Sequence, residues 1–84
     1  MNLHERVQHV HTREDFVSFA RDLLDDLAKN PQRWENATVA SYLEALAGWT
    51  ADMDGWYANR GEATPAQPSW QLLARILLVA STYE

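Results

Sequence analysis

The sequence contains no cysteine, so neither disulfide bonds nor thiolate metal sites can form. Basic residues are also few, since 7 Lys and Arg stand against 12 Asp and Glu and give a formal net charge of −5. A general binder of the nucleic-acid backbone needs a basic patch, and docking to anionic lipid needs one as well. We therefore expect neither nucleic acid nor a membrane among the partners of this chain.

Long apolar runs are missing too. The longest run, residues 76–80, is far shorter than the roughly 20 residues that span a bilayer. Residues 1–6 lack the apolar core of a secretion signal, so we expect a cytoplasmic location. With 84 residues, 46% of them hydrophobic and 23% charged, the chain has the composition of a globular protein. We predict one domain that covers residues 1–84.

Residues 12–29 have the apolar spacing of an amphipathic helix, with Thr12 as its N-cap. Apolar side chains fill an arc of roughly 180° on this helix. The helix should end before Pro31, because proline disfavours helical geometry at the residue that precedes it. The spacing of Leu3, Val7 and Val10 allows a short helix before it, with an edge strand as the alternative.

A second helix is predicted to begin at a cap on Asn36 or Thr38 and to stop near Gly61. Gly48 and Gly55 lie on one face of it, opposite the apolar face, which suggests that another backbone approaches closely there. The alternative is that Gly55 breaks the helix.

The last predicted helix follows a cap on Ser69 and runs from residue 70 to about 83. It is apolar almost all the way round, with only Gln71, Arg75 and Thr82 on a narrow polar strip. Such a helix must be covered on nearly every side, either by the N-terminal segment or by another chain.

These helices predict an all-α fold, a small three-helix bundle with an additional short N-terminal helix. The predicted core is Phe16, Phe19, Leu23, Leu27, Val39, Leu43, Leu46, Met53, Leu73, Ile76, Leu77 and Ala80.

Four short motifs punctuate the predicted helices. They are Asn30-Pro31-x-x-Trp34-Glu35-Asn36, Asp52-Met53-Asp54-Gly55-Trp56-Tyr57, Pro65-x-x-Pro68-Ser69-Trp70 and the closing Tyr83-Glu84. In this combination the chain resembles, over nearly its whole length, a family of short bacterial proteins of unknown function. The resemblance implies a small helical domain and supplies no activity, cofactor or catalytic residue.

No motif in the chain predicts a catalytic, cofactor or metal site. Asp52 and Asp54 fail the spacing of a calcium loop, and on a helix they point in directions about 160° apart. His4, His9 and His11 are two and five residues apart, whereas metal sites on a helix prefer three or four. A small enzyme or metal-dependent site built on Asp52, Asp54 and Glu35 is kept as the alternative hypothesis.

The function we predict is a non-catalytic protein-interaction domain that neutralises a toxin or binds a regulatory partner. The acidic half of the first long helix could face a basic partner such as a nuclease toxin. The surplus apolar surface of the last helix could bind a partner or a second copy of the chain, as a homodimer. The candidate interaction surface is Asp22, Asp25, Asp26, Trp56, Leu72, Leu78 and Val79.

Overall fold

The computed structural model describes residues 2–83, and in this part of the chain it contains four α-helices and no strand. The helices are α1 (Leu3–Val7), α2 (Arg13–Lys29), α3 (Val39–Asn59) and α4 (Trp70–Ala80), with a short 3₁₀ turn at Pro31–Arg33 between α2 and α3. The predicted all-α fold with a short N-terminal helix is confirmed. Glu84, the last residue of the closing motif, lies outside the described residues.

Each helix begins at a polar side chain that accepts a hydrogen bond from a backbone N–H of the first turn. These caps are Asn2, Thr12, Thr38 and Ser69. At Thr12 the bond is reciprocal, because the Asp15 carboxylate accepts from the Thr12 N–H in turn. The predicted caps Thr12, Thr38 and Ser69 are confirmed.

The two glycines of α3 confirm one prediction, the continuous helix, and contradict another, the close backbone approach. The helix continues through Gly55 without a break and ends at Asn59, and Gly61 follows with a φ of +71°. Among residues 2–83, no backbone outside α3 comes within 4 Å of where a Cβ would stand at Gly48. Instead the ring of Tyr83 lies 3.3 Å from that point, while at Gly55 none of the described residues comes within 4 Å. The predicted close backbone approach is therefore wrong.

Helix α4 is the centre of the fold and packs against α1, α2 and α3. Its first side meets a buried cluster formed by Val7, Val10, Phe19, Leu23, Ala74 and Leu78. Its second side meets a cluster formed by Trp49, Tyr57 and Leu72. The N-terminal segment thus covers α4, as one of the two predicted arrangements required. Within the described part of the chain, α2 and α3 pack against α4 but not against each other.

This divergence of α2 and α3 explains two of the three errors in the predicted core. Phe19, Leu23 and Ala80 are buried, and most of the other predicted core residues are half-buried. Val39, Leu43 and Leu73 are 76%, 55% and 38% exposed, so their assignment to the core was wrong. Val39 and Leu43 fit the helical repeat of α3 but line the open space between α2 and α3, whereas Leu73 lies on α4 beside His11 and Pro68.

The loop before α3 holds the end of α4 in place through Asn36. Its side-chain amide donates to the carbonyl oxygens of Ala80 and Tyr83 at 3.0 and 2.7 Å, and its backbone N–H donates to the carbonyl oxygen of Ser81 at 3.0 Å. These carbonyls have no partner inside the helix, so Asn36 caps the C-terminal end of α4. Of the two residues predicted as the N-cap of α3, Asn36 and Thr38, the structure has Thr38 in that role.

Between residues 2 and 83, no helix is both long and apolar enough to cross a bilayer.

Candidate interaction surfaces

An apolar groove of about 250 Å³ lies between α2 and α3, where the two helices diverge. Its lining consists of Leu23, Leu24, Leu27, Trp34, Asn36, Ala37, Thr38, Val39, Tyr42 and Leu43. Leu24 on α2 is 66% exposed, and it faces the exposed side chains of Val39 and Leu43 on α3. Three large apolar side chains therefore meet the solvent in one place, which is typical of an interaction site.

Hydrogen bonds and ring packing hold the wall of this groove in position. The rings of Trp34 and Tyr42 stack with centroids 6.0 Å apart. The Trp34 Nε1–H donates to the Asp26 carboxylate at 2.9 Å, and the Tyr42 hydroxyl donates to the Leu77 carbonyl at 2.6 Å. Burial raises the pKa of Tyr42 to about 12. Contacts within the chain thus hold the Trp34 and Tyr42 wall of the groove in place without a partner.

The flanks of the groove carry more negative than positive charge. Asp25, Asp26 and Glu35 stand next in sequence to residues of the lining, and so does the exposed Arg33. Lys29 neutralises Asp25 at 3.1 Å. Glu35 has no cationic partner among residues 2–83. Glu44 lies on another face of α3, where it lines a separate pocket with Ser41, Gly48 and Tyr83.

Three of the seven predicted interaction residues come together elsewhere. Trp56, Leu78 and Val79 line a smaller pocket between α1, the end of α3 and α4. Leu72 and Leu78 are only 6% and 7% exposed, because the chain's own helices cover them. In the folded chain, only the partly exposed Trp56 and Val79 of this apolar set could touch a partner.

The predicted acidic residues are engaged within the chain. Asp22 forms an ion pair with Arg6 of α1. Asp26 accepts hydrogen bonds from Asn30 and from the Trp34 indole. That these carboxylates contact a partner stays a prediction, and Asp25 is the most exposed of the three.

The carboxylates of the alternative hypothesis do not converge on one site. Asp52 accepts a hydrogen bond from the Tyr83 hydroxyl at 3.0 Å, and this bond raises the pKa of Tyr83. Asp54 is exposed on α3, and Glu35 is exposed in the loop before it. No group of three His, Asp or Glu side chains able to hold a metal ion occurs between residues 2 and 83.

The groove residues Leu24, Val39 and Leu43 were not predicted to form a surface. One signal in the sequence points to them: the apolar arc of α2, at roughly 180°, is wider than the stripe of about 100° that a surface helix buries. Leu24 lies at the edge of this arc, in the part that exceeds the usual stripe. The sequence of α3 offers no such signal, because Val39 and Leu43 continue the same repeat as its buried residues.

The comparisons with known proteins give a family and no function. No curated protein matches the chain, and neither does any solved structure. The model of a family of unknown function, DUF7660, matches residues 12–84. This match covers α2, α3 and α4 and leaves out only α1 and the residues around it. The chain therefore belongs to the DUF7660 family of unknown function.

Proposed function

We propose that this chain is a non-catalytic protein-interaction domain whose groove between α2 and α3 binds a basic amphipathic helix of a partner protein. The observation that carries the proposal is the exposure of Leu24, Val39 and Leu43 in one preformed apolar groove. Residues 1–84 would act as one domain in the cytoplasm. A toxin or a regulatory protein with such a helix would both fit.

A helix in a groove is the binding mode that suits this geometry. Amphipathic helices insert apolar side chains, three or four residues apart, between two supporting helices. Val39 and Leu43 are four residues apart on one face of α3 and stand opposite Leu24. The stacked Trp34 and Tyr42 rings do not need to rearrange, which lowers the entropic cost of binding.

Charge favours a foreign basic helix over a second copy of the chain. Two copies that met at this groove would bring net charges of −5 together, and the exposed Glu35 of each would add to the repulsion. A partner helix with lysines or arginines beside its apolar face would instead complement Glu35 and the net negative charge of the chain. Repulsion between like charges would therefore disfavour a dimer of two chains that meet at their grooves.

The test uses two synthetic 18-residue helices that share the same leucine face, one with lysines and one with glutamates on its flanks. Calorimetry measures their binding to the wild-type chain and to the variants Leu24→Gln and Leu43→Gln. Val17→Gln is the matched control, because Val17 is also an exposed apolar residue of α2 but does not line the groove. We expect the lysine helix to bind with a micromolar Kd, and each groove variant to weaken it about 10-fold.

Two results would overturn this proposal. One is equal binding of both peptides, or equal loss in the Val17→Gln control. The other is a concentration-dependent dimer in sedimentation experiments that Leu43→Gln dissociates, since a second copy would then be the occupant of the groove. Circular dichroism of each variant confirms that the helices are intact.

A further inference from the structure

A second site lies between α1, the end of α3 and α4. It is a pocket of about 130 Å³, and its polar lining comes from His4, Gln8, Trp56, Arg60 and Arg75. Pockets that hold drug-sized ligands measure roughly 300–1,000 Å³, so this one suits a smaller molecule. The pocket shares no lining residue with the groove, so a ligand bound here is independent of the proposed function.

The charge of this pocket is opposite to that of the chain. The net charge of the molecule is −5, yet the charged side chains in this lining are the two guanidinium groups of Arg60 and Arg75. Arg60 shares its charge with Glu62, whose carboxylate accepts from Nε at 3.1 Å. Arg75 has no carboxylate partner among residues 2–83, although it is half-buried.

Both guanidinium groups are held against the same tryptophan. Their central carbons lie 4.6 Å (Arg60) and 5.1 Å (Arg75) from the centroid of the Trp56 ring. Arg75 also donates one N–H to the hydroxyl of the buried Tyr57 at 3.2 Å. That bond fixes the plane of the guanidinium and leaves its other N–H groups for a ligand. Fixed, paired N–H donors of this kind match the oxygens of a carboxylate or phosphate group.

We infer that this pocket binds a small oxyanion, a phosphate or carboxylate group, between Arg60 and Arg75 beside Trp56. Arg75 supplies the positive charge and the charge-assisted hydrogen bonds, and Arg60, paired with Glu62 through Nε, adds the N–H groups of its two terminal nitrogens at the mouth. The side-chain amide of Gln8 and the imidazole of His4 are the remaining polar groups in reach. The ligand replaces the missing carboxylate partner of a half-buried arginine.

The experiment is an NMR titration of the ¹⁵N-labelled chain with inorganic phosphate and, separately, with acetate, each at constant ionic strength held with sodium chloride. We expect saturable shifts of the Trp56 indole N–H and the Arg75 Nε–H, with millimolar Kd values. If the natural ligand carries a phosphate group, phosphate should bind more tightly than acetate. If the natural ligand carries a carboxylate group, acetate should bind as tightly as phosphate.

Three variants decide the outcome. Arg75→Gln should weaken binding about 10-fold, and Arg60→Gln, at an exposed site, should weaken it about 3-fold. Arg21→Gln removes an exposed arginine of α2 outside the pocket and should leave the Kd unchanged. If Arg75→Gln disturbs the fold, Arg60→Gln alone provides the test. Shifts that do not saturate, or a Kd that Arg60→Gln and Arg21→Gln change equally, would overturn the inference.

Discussion

The buried cluster beside α1 and the groove between α2 and α3 are both lined by apolar side chains, yet the two regions have opposite fates. In the cluster, Val7, Phe19, Ala74 and Leu78 are shielded from solvent where α1, α2 and α4 meet. In the groove, α2 and α3 spread apart, and apolar side chains of both helices remain exposed. Of these two regions, only the cluster has an additional element, α1, lying over it.

That element is small. Helix α1 has five residues, and Val7 and the following Val10 are its contribution to the buried cluster. So short a helix is not stable alone, and it forms because its apolar side packs against α2 and α4. The comparison shows that the position of a covering segment, and not the hydrophobic pattern of a helix, decides which apolar residues become core and which become surface.

The largest expected effect contrasts a leucine of the buried cluster with a leucine of the groove. Leu78→Asp should unfold the chain, since it buries an unpaired charge and costs more than about 4 kcal/mol, close to the total stability of a small domain. Leu24→Asp introduces the same charge at a 66% exposed position and should change the free energy of unfolding by less than about 0.5 kcal/mol. Urea unfolding followed by circular dichroism measures both. If Leu78→Asp unfolded cooperatively at a urea midpoint near that of wild type, the predicted difference between Leu78 and Leu24 would be refuted.

The next effect concerns Asn36, whose side chain ties the loop before α3 to the end of α4. Asn36→Ala removes the amide that caps the Ala80 and Tyr83 carbonyls, and it should lower the free energy of unfolding by about 2 kcal/mol. Gln32→Ala, an exposed polar change four residues earlier, is the control and should be nearly neutral. Equal urea midpoints for the two variants would show that Asn36 does not hold α4.

A smaller effect is the loss of stability at high pH that is caused by Tyr42, a residue of the groove wall. The pKa of Tyr42 is raised to about 12 because burial disfavours the phenolate. Below pH 10 the Tyr42 hydroxyl keeps its proton in both the folded and the unfolded chain, so its contribution to the free energy of unfolding is at its full value. As the pH rises from 10 to 12 the unfolded chain loses the proton first, and stability falls.

Tyr42→Phe should therefore lower the free energy of unfolding by about 1 kcal/mol at pH 8, because it deletes the bond to Leu77, and should flatten the fall above pH 10. Urea unfolding at pH 8, 10 and 11 tests this, with Tyr83→Phe for comparison. A Tyr42→Phe chain with the same loss of stability above pH 10 as wild type would contradict this assignment.

The smallest effect distinguishes a free position on α3 from a covered one. Gly55→Ala should stabilise the chain by about 0.5–1 kcal/mol, since alanine favours the helix and none of residues 2–83 lies within 4 Å of the added Cβ, apart from the helix itself. Gly48→Ala should gain less, because its Cβ would press on the Tyr83 ring at 3.3 Å. Thermal unfolding of both variants gives the difference, and a larger gain at Gly48 would show that Tyr83 does not rest there.

Local signals in the sequence predicted the helices well and their assembly less well. The caps at Thr12, Thr38 and Ser69 were predictable because a cap depends on residues only three positions apart. The exposure of Val39 and Leu43 was not, since it depends on the angle between α2 and α3, which no local pattern encodes. The pairing of Arg75 with Trp56 likewise joins α4 to α3 across 19 positions of sequence.

The central claim is that the groove between α2 and α3 is open to solvent in the single chain. The most direct measurement is methyl NMR of a dilute sample with a soluble, uncharged paramagnetic probe. The methyl groups of Leu24, Val39 and Leu43 should relax several times faster than those of Val7 and Leu78, which lie in the closed cluster. Equal protection of both sets would contradict the account, because the groove would then be covered by the chain itself.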